Sequence, residues 1–186
     1  MPSLLIYKRL ERLGILLRKD ARVTGSELGL LPVQLEALHY LGACNRYSDT
    51  PQAVAEFLSV TSGTISQTLN VLVNKGLALR EYDQKDRRVV HYKLTVAGEE
   101  LLANAIPAPL VQAACALLGE SDLETVTVAL EVLLAACHQS SAMKSFGTCH
   151  NCRHNQAQDN GESLCALMQE SLSELDMMKI CREFTM

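Results

Sequence analysis

Residues 61–98, TSGTISQTLNVLVNKGLALREYDQKDRRVVHYKLTVAG, decide how this chain folds. From Thr64 to Lys75, Ile65, Leu69, Leu72 and Val73 recur at helical spacing on one face. Gly76 then ends the helix in the left-handed manner that glycine permits. Leu77–Tyr82 and Val89–Thr95 read as two strands, with Val90, Tyr92 and Leu94 alternating as in a half-buried strand. Between them lies a charged tip, Asp83-Gln84-Lys85-Asp86-Arg87-Arg88. Just upstream, Ser48-Asp49-Thr50-Pro51 is a helix start: Thr50 can cap, Pro51 suits the first turn, and Ala53, Val54, Phe57 and Leu58 form the apolar face. A break at Val60-Thr61-Ser62-Gly63 separates this helix from the next. Two helices, a short turn and a basic-tipped hairpin, in that order, predict a winged helix-turn-helix.

Working outward, residues 3–19 predict an amphipathic helix, with Ile6, Leu10, Leu13 and Leu17 opposite Lys8, Arg9, Arg12, Arg18 and Lys19. Gly25 and Gly29 mark a loop, and Leu31-Pro32 opens a helix running to about Cys44. A helix resumes at Val96, but Pro107 and Pro109 must kink it or split it in two, the second part running to about Leu118. Ser121 with Glu124 is a capping pair for a further helix with Leu123, Val126, Leu130, Leu133, Leu134 and Cys137 on its face. The expected fold class is mainly α, with a β-hairpin wing. The expected divisions are residues 1–30 (N-terminal helix), 31–98 (winged helix-turn-helix), 99–140 (further helices) and 141–186 (a cysteine-rich tail).

The composition, 48% hydrophobic with no tryptophan, suits a helical protein rich in Leu, Ala and Val. No apolar run approaches the roughly 18 residues of a membrane span, and no secretion signal is evident, so a cytoplasmic location is expected. The net charge of −4 conceals a division: residues 1–96 carry +4 and residues 97–186 carry −8. The front half can meet phosphate, whereas the rear is repelled by it. A glycine-rich phosphate loop and a plausible nucleophile–base pair are both missing, since Cys137-His138 and Cys149-His150 are sequence neighbours that point apart. An enzyme is not expected.

The polar residues around the second helix have the chemistry to read DNA. Thr61, Ser62, Thr64, Ser66, Gln67 and Asn70 offer hydrogen-bonding side chains at a helix N-terminus, whose backbone N–H groups suit phosphate. Gln67 can pair with an adenine edge in the major groove. Lys85, Arg87 and Arg88 make a compact cationic prong, and arginine is favoured in narrow minor grooves.

The run Val71-Leu72-Val73-Asn74-Lys75-Gly76-Leu77, followed by Arg80, then Asp83–Arg88, then Leu94-Thr95-Val96-Ala97-Gly98, resembles the MarR family of bacterial regulators over about residues 5–140. The resemblance implies a homodimer with intertwined N- and C-terminal dimerisation helices, bound to a pseudo-palindromic double-stranded DNA operator. It also implies that Arg88 enters the minor groove, that Asp86 braces the wing by pairing with an arginine, and that Thr61–Asn70 contact the major groove. This chain departs from the family in Pro107 and Pro109, which interrupt the helix after the wing, and in its tail.

Of the seven cysteines, Cys44, Cys115 and Cys137 stand singly in helical stretches and read as small buried hydrophobes. Cys149, Cys152, Cys165 and Cys181 crowd together with the spacing C-x2-C-x12-C-x15-C. In a reducing compartment such a cluster favours metal over disulfide. Structural zinc sites usually pair two close knuckles, whereas this tail has one. The arrangement therefore tilts towards an iron–sulfur cluster on four thiolates, with zinc or unmetallated redox thiols as the alternatives. His150 or His154 can stand in for a cysteine. Ser163–Glu170 and Leu175–Glu183 are expected as short helices delivering Cys165 and Cys181, around a polar loop at 153–163. Because the tail follows the last helix directly, a change at the cluster is expected to alter dimer-helix packing and the roughly 34 Å spacing of the two recognition helices. The rival reading is a metal-binding redox or interaction protein without specific DNA binding.

Overall fold

Helix α1 (Pro2–Glu27) opens on a proline in its first turn and runs through Gly25, where the sequence predicted a loop. Gly25 is needed for space: a Cβ there would lie 2.7 Å from the Leu30 carbonyl oxygen, where the chain doubles back. The turn itself falls at Gly29, whose φ of +66° is the left-handed conformation glycine tolerates. The computed structural model describes residues 1–140, 144–158 and 162–185.

Helices α2 (Pro32–Ala43), α3 (Pro51–Leu58) and α4 (Ser62–Asn74) build the core. Thr50 caps α3 by accepting from the Ala53 N–H at 3.4 Å, as its sequence predicts. Thr61 caps α4 through the Thr64 N–H at 3.2 Å, so α4 starts two residues before the expected Thr64. Leu38, Tyr40, Val54, Ile65, Leu69 and Leu72 are fully buried where these three helices meet. Each such side chain contributes about 1.5–3 kcal/mol by leaving water.

Gly76, at φ +70°, turns the chain from α4 into strand β1 (Ala78–Tyr82). β1 pairs antiparallel with β2 (Val90–Leu94), with Ala78 opposite Leu94 and Tyr82 opposite Val90. Thr95 ties hairpin to helix twice: its hydroxyl donates to the Gly76 carbonyl at 2.6 Å and accepts from the Gly98 N–H at 3.1 Å. Helix α5 (Val96–Ala105) ends before the prolines, and α6 (Pro109–Cys115) restarts with Pro109 in its first turn. The expected interruption is therefore a division into two helices, the second stopping short of Leu118. Helix α7 (Glu120–Ser140) begins one residue before the expected cap, which puts Ser121 inside its first turn. No residue of α7 is buried.

The tail is largely β rather than helical. Strand β3 (Gly147–Thr148) leads into a 3-10 turn at Cys149–Asn151. Strands β4 (Asn155–Ala157), β5 (Ser163–Cys165) and β6 (Glu170–Leu172) form an antiparallel meander. A five-residue helix, α8 (Glu174–Met178), precedes β7 (Ile180–Cys181), which returns to pair with β3. The predicted helix over Ser163–Glu170 is thus a strand, a turn and the start of a second strand, with Gln169 at φ +56° closing the turn. The predicted helix over Leu175–Glu183 is only partly realised, and Cys181 sits on a strand. Segments this short take their conformation from pairing partners elsewhere in the chain, which local periodicity does not reveal. Strand β4 also occupies part of the expected polar loop at 153–163, of which residues 159–161 lie outside the described residues. Among the single cysteines, Cys44 is buried as expected, Cys115 is half-buried, and Cys137 is exposed, contrary to its reading as a buried hydrophobe.

Candidate nucleic-acid interface and cysteine cluster

Helix α4 divides its residues by face. Ile65, Thr68, Leu69 and Leu72 turn into the core, while Thr61, Ser62, Thr64, Ser66, Gln67 and Asn70 are all exposed. The Thr61 and Thr64 hydroxyls lie 3.0 Å apart, and Ser66 donates to the Ser62 carbonyl at 2.8 Å. The wing has its own internal order. One carboxylate oxygen of Asp83 accepts from the backbone N–H groups of both Lys85 and Asp86 at 2.7 Å. These bonds hold Asp83 below its ordinary pKa. Asp86 in turn accepts from Arg88 at its backbone N–H (3.0 Å), Nε (3.0 Å) and Nη2 (2.9 Å). The arginine Asp86 pairs with is therefore the one the family pattern assigns to the minor groove. Arg88 remains 91% exposed, and Lys85 and Arg87 are exposed beside it.

Sequence reasoning missed what lies beneath the wing. His91 on β2 contacts the Asp49 carboxylate through Nδ1 and faces Asp83 through Nε2 at 3.4 Å. The Tyr92 N–H donates to the Asp49 carbonyl at 2.8 Å. Asp49 belongs to a polar run, Asn45-Arg46-Tyr47-Ser48-Asp49, that reads in sequence as a loop and helix start. In the fold Asn45, Ser48 and Asp49 are buried at 1%, 0% and 6% exposure. Burial pushes the Asp49 carboxyl up, against the pull of His91. The available signal was five consecutive polar residues between two apolar helices.

The four tail cysteines come together. Cys149, Cys152, Cys165 and Cys181 line one cavity with His154, Asn155, Tyr47 and Leu172, whereas His150 is exposed on the 3-10 turn. The Cys149 and Cys181 thiols are neighbours in this cavity. Cys149, with help from Asn45, the Glu183 N–H and Ser48, holds the Cys181 thiol below its ordinary range. Among the described residues, no three His, Cys, Asp or Glu side chains stand in the arrangement that would hold an ion. The donor set nevertheless fits a soft metal: four thiols around one cavity, with amide and backbone N–H groups supporting sulfur. The buried Asn155 Oδ1 in the cavity wall has no hydrogen-bond partner among the described residues.

The tail is bound to the winged helix. The Asn45 Nδ2 donates to Cys149 Sγ at 3.5 Å, and the Asn45 N–H donates to the Ile180 carbonyl at 2.9 Å. Arg182 clamps Glu56 of α3 with two bonds of 2.7 Å, while its own N–H donates to Ser48 Oγ at 2.9 Å. Arg46 reaches the other way, to Glu170 at 3.2 Å and Asp176 at 3.3 Å. Phe146 completes the joint, with its ring centroid 5.2 Å from Phe57 and 6.2 Å from Tyr40. The tail is thus seated directly on the α2–α3 loop.

A capped polar helix α4 followed by an arginine-tipped hairpin defines a winged helix-turn-helix. Residues 28–89 match the model of the MarR family. The S. aureus MepR–DNA complex is 26% identical at a TM-score of 0.56, with 70% of this chain and 97% of that one covered. The MarR transcriptional regulator from Methanosarcina mazei Go1 shares the fold at a TM-score of 0.63 and 19% identity, covering 74% of this chain and 99% of the other. Wild-type E. coli MarR in its apo form does so at 0.55 and 23%, covering 68% and 95%. No curated relative matches the chain. Among the described residues, no helix is long and apolar enough to cross a membrane.

Proposed function

We propose that this chain is a sequence-specific DNA-binding transcriptional regulator, a repressor, that binds a pseudo-palindromic operator as a homodimer. The observation that carries this reading is the exposed face of α4 together with Lys85, Arg87 and Arg88 on the wing, in a chain similar to the MepR of a solved DNA complex. Helix α4 lies in the major groove, and Arg88 exchanges Asp86 for the minor groove. The dimer is supported by apolar surface that one chain leaves uncovered. Leu10, Leu13 and Leu17 on α1 and Val126, Leu130 and Leu134 on α7 are each between 41% and 59% exposed. A lone chain rarely leaves two long helices with their apolar faces uncovered, and a second copy would cover them.

The cysteine tail carries, in this reading, an iron–sulfur cluster held by Cys149, Cys152, Cys165 and Cys181, whose state modulates DNA binding. The shared cavity and the N–H support to sulfur favour a centre on four thiolates, and the single C-x2-C knuckle favours a cluster over zinc. When bound, the cluster supplies a centre responsive to iron or oxidants. Two measurements test the proposal: a gel shift against the DNA upstream of the chain's own gene, and a visible spectrum with metal analysis after anaerobic purification. Salt-dependent binding that prefers this DNA, by a coloured iron protein, is expected. Binding without sequence preference would sink the regulator, and a colourless protein with one zinc per chain would sink the cluster.

A further inference from the structure

We infer that the four-thiol centre acts on the wing of its own protomer, through the loop Asn45–Asp49, with Asn45 and His91 as the positioning residues. The inference rests on reading the tail as a metal centre, and it concerns where that centre delivers its effect. A continuous series of polar contacts joins the two. Asn45 donates to Cys149 Sγ at 3.5 Å and accepts from Ser48 Oγ at 2.7 Å. Ser48 also receives the N–H of Arg182, the residue after Cys181. The next residue, Asp49, holds β2 by its carbonyl, through the Tyr92 N–H, and by its carboxylate, through His91. His91 faces Asp83, Asp83 shapes the tip through the Asp86 N–H, and Asp86 holds Arg88.

Burial makes this series mechanically tight. Asn45 and Ser48 are sealed from water, so a group that loses its partner there has no solvent to replace it. Gathering four thiols around a metal must move sulfur from the present arrangement, in which no three of the described donors are placed to hold an ion. The Asn45 amide must follow Cys149 or lose a partner, and its bond to Ser48 passes the shift to Asp49 and so to His91. A further connection from tail to winged helix, Arg46 with Glu170 and Asp176, bypasses this series on the exposed side.

Full-length reduced protein, metal-free or loaded with Co(II), tests the inference without knowledge of the operator. Thiolate-to-cobalt absorption reports occupancy, and amide hydrogen exchange over residues 83–90 reports the wing. Loading is expected to change wing exchange by about fivefold or more in the native sequence. His91→Gln and Asn45→Ala act at opposite ends of the route; both should keep thiolate–cobalt absorption and lose the wing response. Arg46→Ala should keep both. An occupied native protein whose wing exchange does not change overturns the inference and leaves the metal centre standing. So does an undiminished response in either route variant, or its loss in Arg46→Ala. Absence of thiolate absorption in the native sequence overturns the metal centre and the inference together.

Discussion

At the wing tip, Asp86 and Arg88 are each other's partners before any DNA arrives. The pair is exposed, so it contributes little stability; its effect is to fix the direction of a long, otherwise mobile side chain. Arg88→Ala is expected to weaken operator binding by about 1–3 kcal/mol, roughly 5- to 150-fold, with the fold unchanged. Lys85→Ala should weaken binding evenly across sequences and lower the slope of log affinity against log salt by about one. Fluorescence anisotropy titrations at several salt concentrations separate the two. Equal losses on operator and random duplex for Arg88→Ala would show that Arg88 carries no sequence preference.

Two glycines at the junctions of elements illustrate different constraints. Gly76 needs its positive φ, but a Cβ there would meet nothing within 4 Å. Gly98 has an ordinary backbone, yet a Cβ would lie 2.1 Å from the Leu77 carbonyl oxygen, a rigid neighbour. Gly76→Ala should therefore cost about 1–2 kcal/mol of strain. Gly98→Ala should cost about 3 kcal/mol or more, because β1 and α5 must separate. Thermal denaturation ranks the pair, and a larger loss for Gly76→Ala would contradict this account. The joint between α3 and β7 is electrostatic. Hydrogen bonds from Arg182 hold Glu56 below its ordinary 4.5. A depressed carboxylate contributes stability that is complete above the unfolded value and lost as pH falls through the lower folded one. Acidification from pH 4.5 downward should release the tail to limited proteolysis, and Glu56→Gln should weaken that pH dependence, leaving the part carried by Glu170 and Asp176.

For the whole molecule, the core and the apolar surface belong to different assemblies. The winged helix closes its own core, whereas α1 and α7 expose their apolar faces. Leu130→Asp or Leu13→Asp should convert a dimer into a monomer in sedimentation, leaving the helix-turn-helix folded. Operator affinity should then fall steeply, since two half-sites no longer bind together. A dimer that survives both substitutions would place the interface elsewhere. The tail adds a second constraint: by seating on the α2–α3 loop through Phe146, Ile180 and Arg182, it becomes part of the DNA-binding lobe.

Local chemistry alone determined the series from Thr50 to Gly98. A capping threonine, an apolar stripe of period 3.6, a left-handed glycine and an alternating strand each act within a few residues, so their order spells out the winged helix. The prolines at 107 and 109 divided a helix for the same reason. The exposed residues of α4 and the wing were legible because polar side chains on an amphipathic helix have only one face to occupy. The tertiary structure decided the rest. Strands of two or three residues exist only because β3 finds β7 and β5 lies between β4 and β6, partners the sequence does not name. Asn45, Ser48 and Asp49 looked like surface residues, and they are buried because the tail and the wing close over them from two sides. Burial of a polar residue depends on what packs against it, and here that neighbour is more than 100 residues away.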